Sequence, residues 1–187
     1  VQFQNGEIHA LLGENGARKS TLMKIICGIY KADEGNILMD GNELHLSGYG
    51  DAVRHGISMV HQEIQMIPES SIAENIVNDK MSQFAKMGFV NWKKIYEFAE
   101  IYMKEVGLEF PPEKKVRFIS AAHKQLIKME KELKKKKKIL LLDEPTTGQD
   151  QQSLEEIKKL IAYFSQMGGC VLFCTHDIEL ASEIADR

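Results

Sequence analysis

Along the first 60 residues, apolar positions follow the spacing of a strand, then of a helix, then of short strands again. Residues 6–12 run into a glycine-bearing turn, and the apolar residues of 20–30 recur at helical intervals. Short alternating stretches on both sides of Asp40-Gly41 predict an antiparallel hairpin. Residues 57–60 predict one more brief strand. We therefore expect a strand, a loop and a helix, followed by a small antiparallel sheet.

Helical spacing dominates the middle of the chain, from residue 68 to residue 137. The apolar positions on the expected buried helix faces are Ile72, Ile76, Val77, Ile95, Phe98, Ala99, Tyr102 and Met103. Wholly apolar strands resume at residues 139–142 and 171–174, with a helical stretch at 154–164 between them. Such strands suit a parallel sheet covered on both faces. The pattern predicts one α/β core with an inserted helical subdomain.

Composition narrows the picture without selecting a partner. Of the 187 residues, 43% are hydrophobic and 27% charged, so a sizeable folded core is expected. The formal net charge of -3 provides no bulk attraction to nucleic acid or to an anionic membrane. No stretch reaches the roughly 18–20 apolar residues of a membrane span. Five lysines at 134–138 are interpreted as a solvated turn, with a nucleic-acid contact as the alternative.

The cysteines and the chain ends add two expectations. Cys27, Cys170 and Cys174 are too few and too irregularly spaced for a disulfide framework or a zinc site. We interpret them as small buried apolar residues in a reducing cytosol. Because the sequence begins at Val1 without methionine and ends at Arg187 soon after a helical pattern starts, truncation at both ends is predicted.

The segment GENGARKST, residues 13–21, has the features of a phosphate-binding loop. Glycines let successive backbone N–H groups wrap phosphates, a lysine reaches the β- and γ-oxygens, and a hydroxyl binds Mg²⁺. The helix that starts near Ser20 adds its positive dipole end. The expected nucleotide-binding residues of the loop are Gly13, Asn15, Gly16, Ala17, Arg18, Lys19, Ser20 and Thr21. ATP and Mg²⁺ are the expected ligands.

Arg18 departs from this pattern, since the general motif G-x-x-x-x-G-K-[ST] has glycine immediately before the lysine. A side chain there costs energy if the backbone needs a glycine conformation, and it can collide with the phosphates. We expect Arg18 to weaken nucleotide binding, and submicromolar ATP affinity would refute this. The alternative is an arginine turned outward, with its charge near the phosphates.

Two adjacent carboxylates follow the apolar strand of the segment KILLLDEP, where side chains emerge at the carboxyl edge of the sheet. Asp143 is suited to bind Mg²⁺, and Glu144 is suited to activate the attacking water. A carboxylate on the metal and a second one on water are what phosphoryl transfer requires. The pair is therefore predicted to be catalytic.

With these motifs in order, the chain resembles the ABC ATPase family over almost all 187 residues. The segment VHQE looks like the Q-loop of the family, which implies that Gln62 binds Mg²⁺ and senses the attacking water. The segment THD is similar to the H-loop, which implies that His176 contacts the γ-phosphate. The expected catalytic residues are Glu144, His176, Gln62 and Lys19. The implied fold is a P-loop NTPase core at 1–67 and 138–187, a small antiparallel β-subdomain, and a helical subdomain at 68–137.

The resemblance also implies residues that act on a second cassette. Ser120 occupies the serine position of the signature motif, which would contact the γ-phosphate held by the other cassette. The glutamine position of that motif is His123 here, and the flanking positions are Ala121 and Ala122. Asp150 matches the D-loop, which would couple the two sites of the dimer.

Finer resemblance to the first cassette of monosaccharide importers rests on GEIHALLGENGARKSTLMKI, GISMVHQE, SIAENI and NWKKIYEFAEIYMKEVGL. The segments LDEPTTGQD and THDIELASEIADR look closer to importers of the energy-coupling type. The implied partners are a second cassette, as homodimer or tandem, and a permease at the cytoplasmic face of the membrane, without nucleic acid or direct membrane insertion. The alternatives are a degenerate or regulatory cassette and a soluble ATPase working on DNA or ribosomes.

Overall fold

The computed structural model describes residues 2–14, 17–60, 66–105, 107–133, 138–146 and 150–187, without the side chains of Leu133 and Gln152. Its helices and strands are β1 (Ile8–Leu12), α1 (Lys19–Ile26), β2 (Leu38–Met39), β3 (Asn42–Glu43), α2 (Tyr49–Arg54), β4 (Ile57–Val60), α3 (Ile72–Val77), β5 (Ala85–Lys86), β6 (Phe89–Val90), α4 (Trp92–Glu105), α5 (Ala121–Leu133), β7 (Ile139–Asp143), α6 (Gln151–Gln166), β8 (Cys170–Thr175) and α7 (Ile178–Ile184). The chain divides into two compact units. The first contains Val1–Gln62, Glu132–Thr147 and Ile157–Arg187, and the second contains Glu63–Lys131 and Gly148–Glu156.

The first unit is built on a four-stranded parallel sheet with the strand order β1-β8-β7-β4. Every residue of β4 and β8 is buried, as are the last four residues of β7. Strands this apolar are stable only when both faces of the sheet are covered. The predicted α/β fold with a mainly parallel sheet is therefore confirmed.

The core of the first unit joins the sheet to α1 and α2 through a cluster of buried residues. Its members are Met23, Cys27, Ala52, Ile57, Met59, Leu141, Leu172 and Cys174. All three cysteines are free thiols and buried, which confirms their interpretation as small apolar core residues. Burial also raises the pKa of Cys170 to about 11, so this thiol stays protonated at neutral pH.

The predicted hairpin is present as the antiparallel pair β2 and β3, in which Leu38 lies opposite Glu43. Its two turn residues, Asp40 and Gly41, have φ angles of 51° and 79°. Two successive positive φ angles are typical of the type I′ turn, whose twist matches that of the flanking strands. The Asp-Gly signal in the sequence therefore located this turn correctly.

The second unit contains α3, α4 and α5, and its buried residues follow the predicted helical faces. Seven of the eight predicted positions are buried, and Phe98 is half-buried. The Tyr102 hydroxyl donates a 3.0 Å hydrogen bond to the carbonyl of Ile127, so the ring can be buried without an unsatisfied polar group. This unit also contains the short antiparallel pair of β5 and β6, which the sequence did not predict.

Helix α3 begins with a complete capping box. The Ser71 Oγ accepts a 3.1 Å hydrogen bond from the Glu74 amide, and the Glu74 carboxylate accepts hydrogen bonds from the Ser71 amide at 2.7 Å and hydroxyl at 2.8 Å. These contacts satisfy backbone donors that a helix start otherwise leaves unpaired.

Among the described residues, no helix has the length and apolar character needed to span a membrane.

Candidate active site

The carboxyl ends of three neighbouring strands bring the predicted motifs to one edge of the first unit's sheet. Leu12 of β1 lies beside Thr175 of β8, and Asp143 of β7 lies beside Cys174. Gly13, Glu144 and His176 directly follow these paired positions. In open parallel sheets this edge is where ligands bind. The strand register therefore brings Gly13 to the same edge as two segments that lie more than 100 residues later in the sequence.

Ser20 and Asp143 meet at this edge. The Ser20 hydroxyl donates a 3.0 Å hydrogen bond to the Oδ1 of Asp143, and the Asp143 side chain is buried. A hydroxyl oxygen and a carboxylate oxygen side by side are hard ligands of the kind that Mg²⁺ prefers. The two residues thus have the oxygen donors that would hold a magnesium ion, which when bound would neutralise negative charge.

Lys19, at the start of α1, reaches back across the loop that precedes it. Its buried ammonium donates hydrogen bonds to the carbonyls of Gly13 and Glu14, the second at 3.2 Å. A Cβ atom on Gly13 would lie 3.2 Å from the Cβ of Ala17 and 3.7 Å from the Cδ of Lys19. Glycine at position 13 therefore leaves room for the Ala17 side chain, whereas the lysine would be in ordinary van der Waals contact.

Glu144 is held between a cation and an imidazole. Its Oε1 lies 3.6 Å from the Nζ of Lys19, and its Oε2 lies 3.0 Å from the Nδ1 of His176. The Glu144 side chain is only 10% exposed, whereas that of His176 is 58% exposed. A carboxylate held in this way can orient a water molecule or accept its proton.

The Glu144 backbone is in the left-handed region, with φ at 47°. Its amide donates a 3.1 Å hydrogen bond to the carbonyl of Cys174 on the neighbouring strand. Non-glycine residues in this region are uncommon, and at functional sites the surrounding structure holds them there. The contact of Glu144 with His176 was not predicted from the sequence, because it depends on the register of β7 and β8.

Cys174 borders the site without adding a reactive group. Burial, together with the nearby carboxylate of Asp143, raises the pKa of this thiol to about 12. The thiol is therefore neutral at physiological pH, and thiolate is the form that acts as nucleophile or metal ligand. The reactive groups at this edge of the sheet are therefore the oxygen and nitrogen atoms of the neighbouring side chains described above.

Arg18 precedes α1 with φ at 60° and ψ at 19°, which is the left-handed conformation. Its side chain is exposed, and α1 has no side-chain hydrogen bond at its N-cap. Glycine adopts this conformation without strain, whereas the arginine carries the cost of a Cβ in this region. Whether the arginine also weakens nucleotide binding stays a prediction.

The remaining predicted site residues fall into three groups. Ala17 and Thr21 are exposed on the loop and on the first turn of α1. Ser120 and Asp150 belong to the second unit, where each begins a helix. Asn15, Gly16 and Gln62 lie outside the described residues.

Ser120 and Asp150 are each tied to a nearby residue of the second unit. The Ser120 Oγ lies 2.8 Å from the Nδ1 of His123 and accepts a 3.2 Å hydrogen bond from the His123 amide. Asp150 accepts hydrogen bonds from the amide of Ser153 at 2.9 Å and from its hydroxyl at 3.0 Å. Both residues therefore cap the helix that follows them.

Residues 1–147 match the family described as ABC transporter. The chain belongs to this family. It is 38% identical over 186 residues to a protein of Halalkalibacterium halodurans named putative ribose/galactose/methyl galactoside import ATP-binding protein. That match covers 100% of this chain and 36% of the relative, so the chain spans about a third of the length of the curated relative.

Two solved ABC cassettes share the fold. One, an ATP-binding cassette of an ABC transporter in its ADP conformation, has a TM-score of 0.78 at 21% identity and covers 97% of this chain and 75% of its own. The other is cbiO1 from Clostridium perfringens, part of the ABC transporter complex cbiONQ, with a TM-score of 0.78 at 28% identity. This match covers 100% of the present chain and 73% of cbiO1. The predicted ABC cassette and P-loop NTPase fold are confirmed, and the comparisons do not support the degenerate alternative.

Proposed function

We propose that this chain is an ATP-hydrolysing ABC cassette that drives import through a membrane permease, with a sugar as cargo. The observation that carries the proposal is the 3.0 Å hydrogen bond between Ser20 and Asp143, with Glu144 beside them. This contact joins the phosphate-loop helix to the acidic strand. The sugar is supported by the relative named for ribose, galactose and methyl galactoside import.

In this proposal the phosphate loop holds ATP. Lys19 exchanges the carbonyls of Gly13 and Glu14 for the β- and γ-phosphate oxygens. The backbone of residues 13–21 surrounds the phosphates, with Asn15, Gly16, Ala17, Arg18 and Thr21 as further contacts. Ser20, Asp143 and Gln62 would hold Mg²⁺, which when bound neutralises charge on the phosphates.

In this proposal Glu144 prepares the water molecule for attack. His176 holds one carboxylate oxygen and Lys19 lies near the other, so the orientation of the carboxylate is restricted. A fixed carboxylate orientation matters because the rate of phosphoryl transfer depends mainly on how the protein positions the attacking water, and less on covalent chemistry by the protein. Glu144 would orient the water and accept its proton, and His176 would contact the γ-phosphate.

The proposal includes a second cassette and a permease. Ser120 would donate to the γ-phosphate held by the other cassette, and Asp150 would couple the two sites. The exposure of Ser120 at the start of α5 supports this placement. The site of action would be the cytoplasmic face of the membrane, reached through the permease.

The Glu144→Gln variant tests the proposal, with Glu34→Gln as the matched control. Glutamine preserves the size of the side chain but cannot accept the proton, so Mg²⁺-dependent ATP hydrolysis should fall by about 10²-fold or more. ATP binding by equilibrium dialysis should persist. Glu34 is exposed in the same unit, and its variant should hydrolyse ATP at the wild-type rate.

Equal hydrolysis by the wild type and Glu144→Gln would contradict the enzymatic proposal. The cargo is tested separately by uptake of radiolabelled ribose and galactose in cells that carry either form. Uptake lost with Glu144→Gln supports sugar import, and uptake that is the same with both forms contradicts it.

A further inference from the structure

The hydroxyl of Ser120 is engaged by two groups of the same residue. The amide of His123 donates to its oxygen at 3.2 Å, which is the usual helix cap. The Nδ1 of the His123 ring lies 2.8 Å from the same oxygen. Since a hydroxyl has one proton to donate, the state of the ring decides where that proton points.

A neutral ring that carries its proton on Nε2 accepts at Nδ1, so it takes the only proton of the Ser120 hydroxyl. Ser120 then presents lone pairs to any approaching group, and lone pairs repel a phosphate oxygen. A protonated ring donates from Nδ1 instead. The serine proton is then released, and Ser120 can donate to an anion.

The surroundings of the ring restrict both its orientation and its charge. The His123 ring meets the Phe110 ring edge to face, with centroids 5.0 Å apart and an interplanar angle of 79°. Burial lowers the pKa of His123, the charge of Asp150 raises it, and that of Lys114 lowers it. The net shift is downward, so the neutral ring predominates at neutral pH.

We propose that His123 is a positioning residue whose neutral ring carries its proton on Nε2 and holds the Ser120 hydroxyl, which donates to phosphate after the ring takes up a proton on Nδ1. The inference rests on the proposed contact between Ser120 and the γ-phosphate in a cassette pair. Beyond that function, we infer that the contact between Ser120 and the γ-phosphate forms together with proton uptake by His123, which itself does not contact the nucleotide. ATP-dependent pairing of cassettes is therefore expected to strengthen as the pH falls.

The test is the pH dependence of ATP-dependent self-association, measured by analytical ultracentrifugation from pH 8 to pH 6. The protein carries Glu144→Gln, so that ATP stays intact. Association with ATP and Mg²⁺ should strengthen by up to about tenfold per pH unit, since binding would take up one proton. With His123→Gln the same measurement should be nearly independent of pH and stronger than wild type at pH 8.

Ser120→Ala separates positioning from packing. If His123 acts through the Ser120 hydroxyl, His123→Gln should change association only when Ser120 is present, and the double variant should match Ser120→Ala alone. A pH dependence that survives in Ser120→Ala, or an equal effect of His123→Gln in both backgrounds, would overturn the inference.

The ring itself is observed by ¹⁵N NMR of histidine-labelled protein, with the His123 signals assigned from their absence in His123→Gln. At pH 8 without nucleotide, Nδ1 should be unprotonated and Nε2 protonated. A protonated Nδ1 at this pH overturns the inference without affecting the proposed function. Absence of ATP binding under all conditions would instead refute the proposed function, whatever the state of the ring.

Discussion

Helices α1 and α3 begin in opposite ways. At α3, Ser71 and Glu74 satisfy each other's backbone donors in a complete capping box. At α1, the N-cap is Arg18 in the left-handed conformation, and the Arg18 side chain makes no capping hydrogen bond. The start of α3 is therefore capped by its own residues, whereas the backbone donors at the start of α1 are open to an external acceptor.

The difference reflects what each helix does. The positive end of a helix dipole and its unpaired amides are stabilised either by a local side chain or by a bound anion. The start of α3 is stabilised by its own side chains and needs no ligand. In the proposed function, α1 leaves this end for phosphate, and Lys19 adds a positive charge beside it. α2, with Gly48 at its N-cap, has no side-chain capping hydrogen bond either, so it is the charge of Lys19 beside the open start that distinguishes α1 as a candidate anion site.

The largest effect is expected for Lys19→Met at the open helix. Loss of the ammonium removes the positive charge next to the proposed phosphates, and ATP hydrolysis should fall by about 10²-fold or more. ATP affinity should fall as well, because the lysine would contact phosphate in the bound state. Equilibrium dialysis and a phosphate-release assay measure the two effects.

Lys24→Met is the control for this change, since Lys24 lies in the last turn of the same helix. It should bind and hydrolyse ATP as the wild type does. If both variants lose the same activity, the effect belongs to the helix as a whole, and the comparison of the two helix starts fails.

A smaller effect is expected for Ser71→Ala at the closed helix. Removing the serine oxygen breaks the capping box, and the free energy of unfolding should fall by ~1 kcal/mol. ATP affinity should not change, since the cap acts within its own helix. Chemical denaturation and equilibrium dialysis are the measurements, with the exposed Ser82→Ala as control. A Ser71→Ala protein that is as stable as wild type would show that the cap contributes nothing.

The smallest effect is expected for Arg18→Gly. Glycine adopts φ near 60° without strain, and this gain of ~1–2 kcal/mol is partly offset by the greater freedom of glycine in the unfolded chain. The free energy of unfolding should rise by ~0.5–1 kcal/mol, and ATP affinity should increase. Arg18→Ala keeps the Cβ but removes the charge. If alanine improves ATP affinity as much as glycine does, the arginine charge or bulk is responsible instead of backbone strain.

Much of the fold was predictable because its signals are local. Apolar residues in an unbroken run indicate a strand buried on both faces, and residues 140–142 are indeed fully buried in β7. Asp40-Gly41 indicated its turn for the same reason. The pair of β5 and β6 was missed, since its turn consists of Met87 and Gly88, at φ of 51° and 84°. Methionine gives no sign that it will adopt a left-handed conformation.

The candidate site was predictable as separate segments but not as a geometry. The sequence indicated Lys19 and Ser20 as phosphate-loop residues and Asp143 and Glu144 as acids, each from its own local pattern. The contact of Ser20 with Asp143 joins residues 123 positions apart. It depends on how α1 packs against the sheet, which no local pattern contains.

By itself, the sequence determined the family, the parallel sheet and the identity of most residues at its edge, because spacing and residue type are properties of short segments. Only the tertiary structure decided that Glu144 adopts a left-handed conformation between Lys19 and His176, and that His123 holds the hydroxyl of Ser120. The register of parallel strands and the packing of side chains arise from contacts between distant segments. These contacts turn separate motifs into a site with a defined chemistry.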